Sequence, residues 1–387
     1  MSVENRNKAY PLLPFSQLVF NMTRWMPWVY MFEFKWCWPG KKKELTHLEK
    51  VILQVLNHHP VFKMHVDAQG YQTYRPAPLG MKGRYYAIRL WEKGDDVYGS
   101  FRWSRILGDA KSIYIFFENV IRAYKGEILP ADEYLTYLET VSQAQSHARY
   151  AKSKTWLETT FSDIQVPVRP TMDRKRVRTI LPWRVGILKA DYSDLRTEIY
   201  QFLQESVLNL DGFFSLSVAL AISEYCGTDS AALTWAYEGR ETPMEQHIFG
   251  SLHRDIPFQV SRINPDTNQP YSREELVHQA RRQIRSGIAH SDYPYTLSEP
   301  QNARWDYAVN IIQNMKPDDF LSTAAIPTTL LPMRKQRIAY AMLDVEIYDS
   351  QNSMELLFRY SATHYKEVSM QRFATLVKQY ALWLLNG

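Results

Sequence analysis

The chain has 387 residues, 45% of them apolar and 22% charged, a composition that excludes a disordered or fibrous polypeptide. At roughly 150 residues per domain it points to two domains with ample length for buried cores. The 46 basic against 41 acidic side chains leave a net charge of +5, too dilute to mark a nucleic-acid binder, and the two cysteines, Cys37 and Cys226, lie too far apart in sequence for a Cys-x-x-Cys zinc or redox motif,.

From the N-terminus, a polar start from Met1 to Lys8 runs into an apolar stretch broken by Pro14, Arg24 and Pro27. No targeting segment or membrane span is expected from it. Period-two alternation predicts strands over 28–36, 61–66, 85–91 and 97–103,. Helical spacing puts Leu45, Leu48, Ile52, Val55 and Leu56 on one face over 44–58, and Ile113, Phe116, Phe117, Val120 and Ile121 on one face over 112–124,. Residues 133–161 read as one long polar helix bridging two lobes. The stretch 166–182 carries three prolines and the basic run Arg174, Lys175, Arg176 and Arg178, the composition of a linker,. The predicted domains are therefore 1–165 and 166–387. The first 165 residues hold 22 basic and 16 acidic side chains, which a solvated surface accounts for better than an acidic partner does.

The second half is predicted to contain helices over 192–208, 213–226 and 273–289, strands over 231–237, 306–312, 337–347 and 354–360, and a closing helix over 370–385. This is an α/β chain in two halves. It has no glycine-rich phosphate loop, no metal-ligand spacing and no short-period repeat.

Few residues stand out as chemistry. The pair His58-His59 invites an acid–base reading, but it ends a predicted helix just before Pro60, where histidine is favoured by the helix dipole,. No Gly-x-Ser-x-Gly elbow is present, which removes the serine-hydrolase class. The carboxylate pairs Asp95-Asp96 and Asp318-Asp319 sit in turn-like sequence and read as solvated turns,.

The informative segment is Phe101-Arg-Trp-Ser-Arg-Ile-Leu-Gly-Asp-Ala-Lys-Ser112, a strand entering a loop and then a helix. It resembles the active-site segment of condensation domains of nonribosomal peptide synthetases and of acyltransferases of the chloramphenicol acetyltransferase superfamily, whose motif is His-His-x-x-x-Asp-Gly. With Asp109 on the motif aspartate, Ser104 and Arg105 stand at the two histidines and Ala110 at the glycine. Other segments resemble the family in its order: Pro11-Leu-Leu-Pro-Phe-Ser-Gln17 the opening motif, Leu56-Asn-His-His-Pro-Val-Phe62 a helix end, and Gly239-Arg240 with Ile248-Phe-Gly-Ser-Leu252 a Gly-Arg and Ile-Gly-x-Phe pair. His290-Ser-Asp-Tyr-Pro-Tyr295 resembles the family's His-Gln-Asp-Tyr-Pro-Phe, and Ile311-Ile-Gln-Asn314 its strand ending in Gln-Asn.

This resemblance implies an α/β fold of two chloramphenicol acetyltransferase-like lobes in a V-shaped pseudo-dimer. The loop from Ser104 to Ala110, with His290, Asp292, Tyr293 and Asn314, would line the tunnel or interface where phosphopantetheine thioesters enter. In the family the second histidine serves as base or hydrogen-bond acceptor for the attacking amine or alcohol and the aspartate holds the loop through an arginine, which makes Asp109 and Arg240 a structural pair. Arg105 departs from the pattern: a guanidinium has five donors and no acceptor, so it cannot serve as the base. With Ser104 it remains the candidate catalytic position, able to stabilise an oxyanion or hold a carboxylate or phosphate.

The resemblance therefore implies a condensation-like protein that has lost ordinary catalysis and binds carrier-protein or CoA thioesters, or an active acyltransferase that works on an amine or alcohol acceptor without the histidine. No bound cofactor, metal, nucleic-acid partner or membrane association is expected, and a cytoplasmic monomer is. The first motif close to Met1 and a closing helix close to Gly387 lead to the expectation of a discrete protein or excised module whose partners act in trans.

Overall fold

A computed structural model describes residues 8–23, 31–144, 148–161, 166–174, 183–293, 309–315, 328–330, 338–339 and 342–387. In chain order its elements are β1 (Ala9–Pro11), α1 (Pro14–Thr23), β2 (Met31–Trp38), α2 (Leu45–His58), β3 (Met64–Val66), β4 (Tyr71–Tyr74), β5 (Tyr86–Lys93), β6 (Asp96–Ser104), α3 (Ala110–Tyr124), α4 (Tyr134–Ala144) and α5 (Ala148–Phe161). They continue with β7 (Trp183–Asp191), α6 (Arg196–Ser206), α7 (Leu210–Cys226), β8 (Ser230–Tyr237), β9 (Arg254–Ser261), α8 (Arg273–Ala289), β10 (Val309–Met315), β11 (Thr329–Leu330), β12 (Ile338–Ala339), β13 (Leu343–Asp349), β14 (Met354–Ser361) and α9 (Glu367–Asn386).

The chain forms two compact units, and neither is contiguous. The first takes in residues 1–147, 238–254 and 316–335, the second 148–237, 255–315 and 336–387. The division expected at 165 thus gives way to segment exchange. What reads in sequence as one helix over 133–161 is two, α4 in the first unit and α5 in the second.

In the first unit a four-stranded sheet of order β11-β2-β6-β5 carries α2 and α3 on its apolar face. Alternation explains that face: Trp36 and Trp38 of β2 and Phe101 and Trp103 of β6 point the same way and are fully buried among Val55, Phe116 and Phe117,. Each such side chain contributes about 1.5–3 kcal/mol by leaving water. Gly99 faces Trp36 across the ladder, and a Cβ there would overlap the indole ring, so glycine is what lets the tryptophan lie flat on the strand. A smaller sheet, β1-β4-β3, completes the unit. Residues 61–63, expected in a strand, belong instead to a 3₁₀ turn, Pro60–Lys63, before β3, because Pro60 fits the start of a turn and has no N–H to give a ladder,.

The second unit is built on a seven-stranded sheet of order β12-β7-β14-β13-β10-β8-β9, parallel from β8 through β10 to β13 and antiparallel from β13 through β14 to β7. Helix α7 is apolar all round and buried over most of its length, the signature of a central helix,. It is capped by Asn209, whose side chain accepts from Gly212 N at 2.9 Å, and it ends at Gly227 with φ +66°,. Among the described residues no single helix is long and apolar enough to cross a membrane.

Candidate active site

Strand β6 ends at Ser104, and a turn over 105–107 delivers Asp109 to the N-cap of α3. The Asp109 carboxylate accepts from Ser112 N at 3.1 Å, while Ser112 Oγ accepts from Asp109 N at 3.2 Å. This reciprocal cap fixes the loop to the helix.

The rest of the carboxylate belongs to a returning segment of the same unit. Gly239 has φ +68°, and a Cβ there would overlap the carbonyl of Leu252, so only glycine allows the turn that presents Arg240,. Arg240 binds Asp109 bidentately, Nη1 to Oδ2 at 2.9 Å and Nη2 to Oδ1 at 3.1 Å,. Its nitrogens also donate to the carbonyls of Glu238, Ile248 and Gly250. Asp109 Oδ2 further accepts from Leu252 N at 2.9 Å and His253 N at 3.2 Å. Burial alone would raise the carboxyl group, but the Arg240 charge and these hydrogen bonds outweigh it and hold Asp109 below the usual carboxylate range,. Asp109 is therefore a structural anion that ties the loop, α3 and residues 248–253 into one piece.

Ser104 is buried, and its hydroxyl accepts from Ile106 N at 3.3 Å, so it serves the turn. Ala110 is the first residue of α3, where the family's glycine is not needed for the cap. Arg105 is half-buried, and its guanidinium packs on the rings of Phe15 and Phe32, with Cζ 4.6 and 5.0 Å from their centroids,. Its Nε is sealed from solvent without a hydrogen-bond partner.

One neighbour carries no motif signal. His253 packs edge-on to Phe15 with ring centroids 4.0 Å apart, and its Nδ1 is buried without a partner. Burial, followed by the nearby Arg105 charge, pushes its pKa down to about 3, with Arg240 adding to the effect and Asp109 opposing it,. The ring is neutral across the physiological range. Sequence reasoning misses it because a lone histidine after a degenerate Ile-Phe-Gly segment has no pattern; only the anchoring of its backbone to Asp109 reveals its place.

The histidine pair His58-His59 is structural, though not through the helix dipole. His59 is fully buried, with Nδ1 2.5 Å from Asp132 Oδ2 and Nε2 3.1 Å from Asn119 Nδ2. His58 Nε2 lies 2.7 Å from the Pro130 carbonyl, and burial, then His59, lowers its pKa, so it carries no charge for a dipole to favour. Asp132 Oδ2 also accepts from Phe249 N at 3.2 Å, a second anchor on the returning segment.

The remaining predicted residues lie in the second unit. His290 caps α8, stacks on Trp156 at 4.7 Å and 16°, and places Nδ1 3.3 Å from Ser153 Oγ. Asp292 pairs with Arg149 at 2.5 Å, and Tyr293 packs on Tyr150. All three therefore clasp α5 to the end of α8. Asn314 lies on β10 opposite Tyr348 in register, its side chain outside the described residues, as are Pro294 and Tyr295.

The Condensation domain family matches residues 105–385, most of the chain. This chain belongs to the condensation-domain family. A plipastatin synthase from Bacillus subtilis (strain 168) is 22% identical over 227 residues, 55% of this chain but 8% of that much longer protein. The X-domain from teicoplanin biosynthesis, solved in complex with OxyB, superimposes with a TM-score of 0.80 at 14% identity, covering 98% of this chain and 94% of that one. The starter condensation domain of rhizomide synthetase RzmA, solved as a mutant in complex with C8-CoA, gives 0.73 at 14% identity, covering 97% and 95%. This condensation domain thus has the two-lobe chloramphenicol acetyltransferase-like fold of those structures.

Proposed function

We propose that this condensation domain binds carrier-protein or CoA thioesters in nonribosomal peptide or related acyl-transfer metabolism and does not catalyse condensation by a histidine base. The observation that carries the reading is Arg105. The Asp109 and Arg240 framework that positions the family's motif loop is present in full, yet the position of the base is held by a cation packed on Phe15 and Phe32. A donor-only group there can bind and orient but cannot accept the proton of an attacking amine or alcohol. The OxyB complex of the teicoplanin X-domain and the C8-CoA complex of the rhizomide starter domain support the two halves of this reading, a recruiting surface and a thioester ligand.

One observation favours the alternative, an active acyltransferase. His253 stands beside Arg105 with a neutral ring, so transfer by orientation and electrostatics, with the imidazole as a positioning group and not as the base, is the chemistry such an enzyme would use. The test is parallel binding and turnover with acyl-CoA and acyl-carrier thioesters against amine and alcohol acceptors. Binding with turnover at background supports the first reading; turnover that requires His253 supports the second.

A further inference from the structure

Among the described residues the Arg105 guanidinium takes part in no hydrogen bond or ion pair. The acidic side chain of its own loop, Asp109, is saturated by Arg240, Ser112 and the two backbone N–H groups of Leu252 and His253. The aromatic rings of Phe15 and Phe32 offer the cation their faces but no lone pairs. The sealed Nε is a donor withdrawn from water with no acceptor, which carries a cost,, and no group of the described residues competes with a ligand for the rest of the fork.

The shape of the unused edge says what completes it. Nε is sealed, so the Nη nitrogens are the part of the fork left at the surface, and planar paired N–H donors match the two oxygens of a carboxylate,. His253 meets the same Phe15 ring as Arg105 and brings no competing positive charge. Phe15 and Phe32 supply an apolar wall for a short carbon chain.

We propose that Arg105, with Phe15, Phe32 and His253 around it, is a carboxylate-binding site, and that the ligand it selects is a thioester whose acyl group ends in a carboxylate. The second clause rests on the thioester reading above; the first does not.

The experiment titrates the 387-residue chain, by calorimetry, with succinate against succinamide and with succinyl-CoA against butyryl-CoA, in the wild type, Arg105→Gln and Arg105→Lys. The proposal expects the carboxylate member of each pair to bind the wild type at least tenfold more tightly than its neutral counterpart. Arg105→Gln should erase that preference, and Arg105→Lys, which keeps the charge and loses the fork, should retain part of it. Equal binding of carboxylate and neutral partner within each pair, binding of neither succinate nor succinyl-CoA, or a preference that survives in Arg105→Gln overturns the site. A succinate preference with no CoA ester bound sustains the carboxylate site and contradicts the thioester reading. Equal binding of both CoA esters does the reverse. Should Arg105→Gln fail to fold, the folded Arg105→Lys protein decides: undiminished succinate affinity there removes the fork argument.

Discussion

Replacing Asp109 by alanine should be the most damaging single truncation around the motif loop. The carboxylate accepts from six donors: two Nη groups of Arg240, the N–H and hydroxyl of Ser112, and the N–H groups of Leu252 and His253. Removing one member of a buried ion pair costs about 3–5 kcal/mol because the partner charge is left uncompensated. Here Arg240 keeps carbonyl acceptors at Glu238, Ile248 and Gly250, which softens that loss. The N–H groups of Leu252 and His253 keep no other acceptor among the described residues, and orphaned buried donors cost about 1–3 kcal/mol each. The two effects overlap, so about 4 kcal/mol is expected, which at about 2–4 °C per kcal/mol for a unit of this size lowers Tm by roughly 8–16 °C. Calorimetry with near-ultraviolet dichroism of the tryptophans of β2 and β6 reads it. A double-mutant cycle with Arg240→Met should show strong coupling, the double variant being less damaged than the sum. A shift under about 2 °C in Asp109→Ala would refute the structural role of the carboxylate.

Other outcomes follow from the same geometry. Gly99→Ala should destabilise the first unit by about 1–3 kcal/mol, as overpacking does, because the new methyl meets Trp36, and urea denaturation would show it,. Acidification should weaken the fold already from pH 6.5 downward. His253 has its folded pKa depressed to about 3, so the unfolded chain takes up the proton first, stability is full above 6.5 and it falls toward pH 3,. At pH 5 that is at most about 2 kcal/mol, and His253→Phe should flatten this limb of the stability–pH curve. Asp109, also depressed, adds a further loss only below the ordinary carboxylate range. His59→Leu should destabilise by about 1–3 kcal/mol, since it leaves Asp132 and Asn119 short of a buried partner, while thioester binding in the folded fraction stays unchanged,.

Where local signals agree with tertiary packing, the elements are legible in the sequence. Helix α8 reads at its own bounds because Ser272 and Glu275 form a capping box ahead of a periodic apolar face,. Strand β7 escapes notice because two of its core-facing positions, Gly186 and Ala190, are small and only Leu188 between them is large: Gly186 makes room for the Tyr360 ring, while Ile187 points outward. Strand β9 escapes because Pro257 argues against a strand, a rule that an edge position relaxes, and β9 is the sheet's last strand,. The site divides in the same way. Arg240 can be matched to Asp109 through a Gly-Arg segment with its own resemblance, although 131 residues separate them. No local pattern brings Phe15, Phe32 and His253 to Arg105, because each comes from a different element and their meeting is a property of the packed unit.

The most direct test of the central claim is acyl transfer itself, measured with acyl-CoA and acyl-carrier thioesters and a panel of amine and alcohol acceptors, in the wild type and in Arg105→Ala matched for folding by melting curve. Thioester binding with turnover at background is expected in both proteins. Robust transfer by the wild type that disappears in a folded Arg105→Ala would contradict it, because a domain that only binds has no turnover to lose.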